Sequence, residues 1–412
     1  MILRFSGMRS RLVRLWLIGC AAATAMQLVA AEPIHLKLES DRIVRRQSPV
    51  SIRLEVGRDL NLEQTKVILR AGMALQLIDT ADKSNHAMAA FEPVRRDRKL
   101  EALVLHWIQP KLNPKRPAVM LVDEAPLDSG DFFPLAFNDR KTEERLLVKD
   151  EAVLWRHGPL RFDPTDDAAA RTHRHALHIG LRDDENRVRS VRMGTWRFGW
   201  SKVIHGDQTH NFWGDSPEAY KKHRMYLNDR QLLADTVARS VSMAHWKGSQ
   251  GRTVLSETRS ITTWAASPGL LLHDLQVVLS TNRGPVSLKG QPGRKGLALI
   301  PDPNWKRKEL IQSESKGTWV AARFATEAGA SVWCVQMLHP GDGGHGGAVS
   351  GLCKEGGMGL FTEHRIDPKI PLVLSYRLVL ADAGRHPQLG PKQFERMYRD
   401  YLNPIRGTVV KP

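Results

Sequence analysis

Apolar and polar residues alternate with a period of two from residue 34 onward. Ile34 to Leu38 and Val50 to Val56 place an apolar side chain at every second position, as strands with one buried face do. Ser48-Pro49 marks a turn between them. Lys66–Arg70, Leu75–Ile78, Leu103–Trp107 and Ala118–Val122 continue the pattern. Residues 33–125 are therefore expected to form a small β-sandwich. Residues 126–145 mix Pro, Gly, Asp and Arg and read as a linker.

Strand patterning resumes with Arg145–Lys149 and Ala152–Trp155. It returns in Thr253–Thr258, Leu270–Ser280, Val286–Leu288, Gly296–Ile300, Trp319–Phe324, Ser331–Leu338 and Leu372–Leu380. No βαβ rhythm and no fixed repeat interrupts these strands, so residues 146–390 are expected to be one large all-β domain of two facing sheets. Helical period is rare. Ser216 to Val237 offers an N-cap serine, Pro217 at the first helical position and Glu218 in the first turn. In the tail, 391–412, a short helix is expected near Pro391 to Tyr401. Phe394, Met397, Tyr398 and Tyr401 recur there at three- and four-residue intervals.

Composition is that of an ordinary globular protein, with 42% hydrophobic and 25% charged residues in a chain of 412. Residues 1–31 stand apart. Arg4, Arg9, Arg11 and Arg14 precede an apolar run from Leu15 to Ala25, and Val29-Ala30-Ala31 supplies small residues for cleavage. A signal peptide is expected, delivering a periplasmic or secreted protein. The alternative takes Leu17–Cys20 as a lipobox and anchors the chain through a lipid on Cys20. No later segment approaches the ~20 apolar residues of a membrane span. Cys334 and Cys353 remain after cleavage; in an oxidising compartment they could form a disulfide, the alternative being two buried thiols. Such a bond would stabilise by about 3 kcal/mol.

The formal net charge of +17 favours polyanionic neighbours such as acidic glycans. The basic residues are scattered rather than massed with aromatics, which argues against nucleic acid. Gly341 to Gly347 lacks the Lys-Ser/Thr ending of a phosphate loop, and no GxSxG nucleophile elbow accompanies the histidines. No motif calls for a cofactor.

Three clusters could carry chemistry. His173 and His175 share a strand face and could hold a metal, given a third ligand from elsewhere. His205-Gly206-Asp207 can turn an imidazole and a carboxylate toward one point, and a carboxylate raises an imidazole toward neutral pKa for proton transfer. His210, Asn211 and Trp213 follow, and Arg197 and Trp200 precede, as candidate binding groups with the tryptophans as stacking faces. Glu257 and Arg259, two apart on one strand, share a face able to bind a hydroxylated or anionic ligand.

These segments together resemble a family of exported bacterial proteins of unknown function labelled PmoA. The resemblance runs from about Pro49 to Ala383. It is carried by Ser-Pro-Val-Ser (48–51), His-Gly-Asp to Asn-Phe-Trp (205–213), Leu-Ser-Glu-Thr-Arg (255–259), Lys-Gly-Thr-Trp (316–319), Met-Leu-His-Pro (337–340) and Leu-Ser-Tyr-Arg-Leu-Val-Leu (374–380). One departure stands out: where that family carries His-His-Arg, this chain reads Thr195-Trp196-Arg197. The resemblance implies a β-supersandwich of galactose-mutarotase-like form and a link to carbohydrate. The expected activity is acid/base chemistry on a carbohydrate, with His205, Asp207 and Glu257 handling protons, Arg259 clamping an anion and Trp213 stacking. A non-catalytic glycan-binding protein is the alternative, and metal-dependent oxidation a second. The catalytic reading requires an imidazole and a glutamate, some fifty positions apart, to face one hollow.

Overall fold

The computed structural model describes residues 32–410 except 40–44, 72–74, 115, 125–135, 141–142, 149–151, 159–173, 183–187, 214–218, 235–236, 268, 292, 314–316, 327–328, 341–348 and 353–355. Between 124 and 193 it describes the backbone. The expected leader thus lies outside the described residues, as do Ser216-Pro217, His173, Cys353 and the Gly341–Gly347 run.

Elements β1 (Ile34–Glu39), β2 (Arg45–Glu55), α1 (Leu62–Ala71), β3 (Leu75–Asp79), β4 (Asp82–Arg96), β5 (Lys99–Leu112) and β6 (Ala118–Glu124) open the chain. The strands form one seven-stranded antiparallel sheet in the order β2-β5-β4-β3-β6-β1-β27, where β27 (Arg406–Val410) is the last strand among the described residues. The sheet curls so far that a Cβ on Gly407 would strike Ile52 of the opposite edge strand. The expected two-layer sandwich is thus a single curled sheet around Leu36, Leu38, Leu54, Leu77, Leu105 and Trp107, and the C-terminus completes it. A second correction concerns Lys66–Arg70, expected as a strand, which lies in α1. Asn61 and Gln64 form a reciprocal cap there: Gln64 N–H donates to Asn61 Oδ1 (2.8 Å) and Asn61 N–H to Gln64 Oε1 (3.0 Å).

The larger unit is all-β. Its strands are β7 (Ala136–Arg140), β8 (Glu143–Val148), β9 (Ala152–Gly158), β10 (Arg174–Arg182), β11 (Val188–Trp200), β12 (Lys202–His205), β13 (Gln208–His210), β14 (Tyr220–Ala234) and β15 (Val237–Lys247). They continue with β16 (Thr253–Ser267), β17 (Leu270–Ser280), β18 (Val286–Lys289), β19 (Lys295–Pro301), β20 (Lys306–Gln312), β21 (Trp319–Ala325) and β22 (Ser331–Leu338). The last are β23 (Val349–Leu352), β24 (Met358–Phe361), β25 (His364–Ile366) and β26 (Leu372–Asp382), followed by helix α2 (Pro391–Leu402). One eight-stranded sheet runs β23-β24-β19-β11-β10-β9-β8-β7, and a second runs β14-β15-β16-β17-β26-β22-β21-β20. A four-stranded sheet, β13-β12-β18-β25, adds Val203, Val286, Leu288 and Ile366 to the core. Residues 136–140 and 143–145, expected within a linker, are strand residues of the first large sheet. The helix expected from Ser216 is replaced by β14, an edge strand paired to β15 alone.

The main core joins Trp196, Phe198 and Trp200 of β11 to Trp246, Leu255, Leu275, Tyr376 and Leu378 of the facing sheet. The outer face of that sheet is covered by α2 and by the N-terminal sheet: Trp264, Trp319, Trp333 and Val379 pack with Phe394, Tyr398, Ala90 and Ile108. Polar ties reinforce this seam. Arg239 donates to both oxygens of Glu92 (2.9 Å each), and fully buried Arg45 meets Asp400 (2.7 Å) and the Asn403 carbonyl (2.7 Å). Cys334 is a free, buried thiol in the main core, raised well above the usual thiol range by burial. Its expected partner, Cys353, lies outside the described residues.

Breaking one partner of a buried ion pair leaves the other uncompensated. Arg45→Met is expected to lower unfolding free energy by about 3 kcal/mol, read by urea denaturation, and to speed amide exchange first in α2. Unchanged exchange in 391–402 would show that Arg45 does not hold the helix.

Candidate functional site

Tight packing against tryptophan shapes the segment that follows β11. Trp200 is fully buried, and its indole N–H donates to the Thr362 carbonyl (2.7 Å). The chain turns through Ser201 into β12, and β13 returns antiparallel after the Gly206-Asp207 turn, where Gly206 has φ +57°. Phe212 N–H then donates back to the Trp200 carbonyl (2.9 Å). This return lies so close to β11 that a Cβ on Gly199 would sit 2.2 Å from the Phe212 carbonyl oxygen.

Register places His205 opposite Gln208 and Val203 opposite His210, so these four side chains leave one face of the hairpin. His205 is half-buried, and its Nε2 lies 2.6 Å from the Arg283 carbonyl. A carbonyl accepts, so that nitrogen carries the proton. Asp207 is exposed at the turn. His210 is 6% exposed, and its ring fits against Gly248, where a Cβ would approach to 2.5 Å. Its Nε2 is buried and has no hydrogen-bond partner among the described residues. Burial, with a smaller contribution from His205, holds this imidazole below the ordinary histidine range, so it is neutral at pH 7. Beside it lies a cleft of about 350 Å³ lined by Ser201, Gln208, Thr209, His210, Asn211, Ala219 and Ser249.

Glu257 and Arg259 share a face as expected, but that face is the interior. Glu257 is 0% and Arg259 3% exposed, and their charged groups meet at 2.5 Å. Trp246 donates its indole N–H to Glu257 (2.7 Å). Lys221 of β14, also buried, donates to the Phe198 carbonyl and rests its ammonium 4.1 Å from the Trp246 ring centre. Burial opposes ionisation of Glu257, yet Arg259, Lys221 and Trp246 together hold its carboxyl below the usual range. Lys221 is brought down to about 7, chiefly by burial; Glu257 opposes this, while Arg259 and Arg197 add to it.

The structure thus brings together His205 and His210 on one hairpin face, with His210 and Asn211 in the cleft wall. It does not bring Glu257 to the cleft beside His210, because Glu257 is enclosed by Arg259 and Trp246 in the interior. Trp200 and Trp213, expected as stacking faces, are buried core residues, Trp213 packing with Ala298 and Phe361. Arg197 is half-buried on β11 opposite Ala298. His175 sits on β10 opposite Trp196. No group of three or more metal-ligating side chains occurs among the described residues. Sequence reading missed Lys221 entirely. It also missed Gln208, Thr209 and Ser249, whose only signal was their nearness to His210 and Trp246.

Glu257→Gln removes the one anion between two buried cations and is expected to cost about 3–5 kcal/mol in stability, measured by urea denaturation. Lys221 gives a second test. Its folded pKa, about 7, lies below the ordinary 10.5, so the unfolded chain binds more protons between those values. Stability contributed by this group therefore rises with pH across that window. In Lys221→Met that rise should vanish, and the stability gap between variant and wild type should shift toward the wild type from pH 6.5 to pH 10. A pH-independent gap would contradict the assignment.

Residues 193–389, which contain the cleft and the buried charges, match the model of DUF6807, a family of unknown function. No curated protein matches the chain. What is shown by comparison is therefore similarity, from β11 to the approach of α2, to a family without an assigned activity.

Proposed function

We propose that this protein is an exported binding protein for a small polyhydroxylated ligand, a saccharide end-group being the class that fits, held in the cleft at His210. The observation that carries the reading is the buried Nε2 of His210, which lacks a partner among the described residues in a wall that, Ala219 apart, is made of hydroxyl and amide groups. A buried polar atom left unsatisfied costs about 1–3 kcal/mol. A ligand hydroxyl would recover part of that once the His210 ring turns its Nε2 toward the cleft. The cleft volume falls within the range typical of small-molecule sites, about 300–1,000 Å³. Asn211 supports the reading: its Oδ1 accepts the Trp213 N–H (3.0 Å), which fixes the side chain in the wall.

Binding is favoured over acid/base catalysis because a pair of carboxyl or imidazole groups must converge on the reacting atoms. Glu257 is committed to Arg259 and Trp246, and His205 has one nitrogen committed to Arg283. Export rests on the leader pattern of residues 1–31. The net positive charge suits a neighbour such as an acidic glycan.

The test is a saccharide panel titrated into the mature protein, followed by calorimetry and by the His210 imidazole resonances. His210→Ala should weaken a binding sugar by about tenfold. Affinity should hold through neutral pH and decline only below the ordinary histidine range, as the neutral acceptor is lost. A panel without binders, or binding that strengthens on acidification, would defeat the proposal.

A further inference from the structure

A second depression, lined by different residues, lies apart from the His210 cleft. It has a volume of about 560 Å³ and lies between the end of β19, the edge strand β20 and its neighbour β21. Pro301 and Pro303 line it together with Trp305, whose ring is half-buried and backed by Phe324 at 6.1 Å between ring centres. Trp305 is thus a braced aromatic surface, which the lining of the His210 cleft does not have. Asp302 stands beside it, with Oδ1 taking the Asn304 N–H (3.2 Å). Arg307 closes the rim and reaches the Gly356 carbonyl with a long 3.4 Å contact. It is exposed, as are Lys306 and Lys308 on either side of it. Three consecutive cations on an edge strand have a simpler use, since charge at a sheet edge deters pairing with other chains. That use explains neither the aromatic surface nor the acidic group in the same depression.

We propose that this depression binds a uronic-acid residue. A pyranose offers an apolar C–H face to an indole and hydroxyls around its edge. Trp305 would carry the face, Asp302 would accept from a hydroxyl, and Arg307 would pair with the ring carboxylate through charge-assisted hydrogen bonds. A flat aromatic acid would satisfy Trp305 and Arg307 but would have no hydroxyl for Asp302. The site stands on its own residues and does not depend on the His210 reading.

The experiment is calorimetric titration of the full mature chain with trigalacturonic acid, its methyl ester and benzoate. Trigalacturonate should bind at least about tenfold tighter than the uncharged ester. Arg307→Gln, an exposed change that leaves the core untouched, should abolish that difference. Trp305→Phe, which keeps a ring against Phe324, should weaken acid and ester alike, and His210→Ala should leave trigalacturonate binding intact. Equal binding of acid and ester, no response to Arg307→Gln, or loss of binding in His210→Ala would overturn the proposal. Benzoate binding as tightly as the uronate would overturn the saccharide assignment.

Discussion

A carboxylate sealed between two large sheets has to be neutralised where it stands, and much of the larger unit is arranged to do so. Glu257 has no access to water, so Arg259 on its own strand, the indole N–H of Trp246 and the ammonium of Lys221 replace its solvent. Each is itself costly to bury. Lys221 is accommodated by a backbone carbonyl of β11 and by the electron-rich face of Trp246. The charges therefore tie β14, β15 and β16 of one sheet to β11 of the other.

This tie also places the cleft. Trp246 meets Phe198 (6.2 Å), Trp200 (6.1 Å) and Phe212 (4.9 Å) edge to face or tilted, and His210 lies 6.0 Å from Phe212 on the hairpin. Gly199 permits the return of the chain over β11, and Gly248 leaves the space that His210 occupies. A side chain at either position would displace the hairpin. The polar wall is thus set by the aromatic core beneath it, as binding sites on rigid scaffolds generally are.

Most strands were legible because alternation survives wherever one face is buried, as in β1, β3 and β15. The failures have physical causes. In α1 the run Val67-Ile68-Leu69 resembles a strand, but only Ile68 is buried, and the Asn61–Gln64 capping pair was the overlooked signal. β14 is paired on one side only, so a proline-led helical start was read where an edge strand begins. For the site, alternation showed that Glu257 and Arg259 share a face but could not say which. A charged pair is ordinarily solvated, whereas here its face is the interior. The same ambiguity turned Trp200 and Trp213 from supposed platforms into core. His210 and Asn211 were legible as a polar cluster, but the closeness of Ser249 depends on β15, some forty residues on.

The ladder between β1 and β27 pairs residues 35–39 with 406–410. During synthesis the N-terminal sheet therefore waits, with the β1 edge open, until β27 has emerged. Unpaired strand edges recruit other chains, and pairings this remote in sequence form slowly. A fragment ending after β6 would keep that edge permanently bare, with a tendency to self-associate.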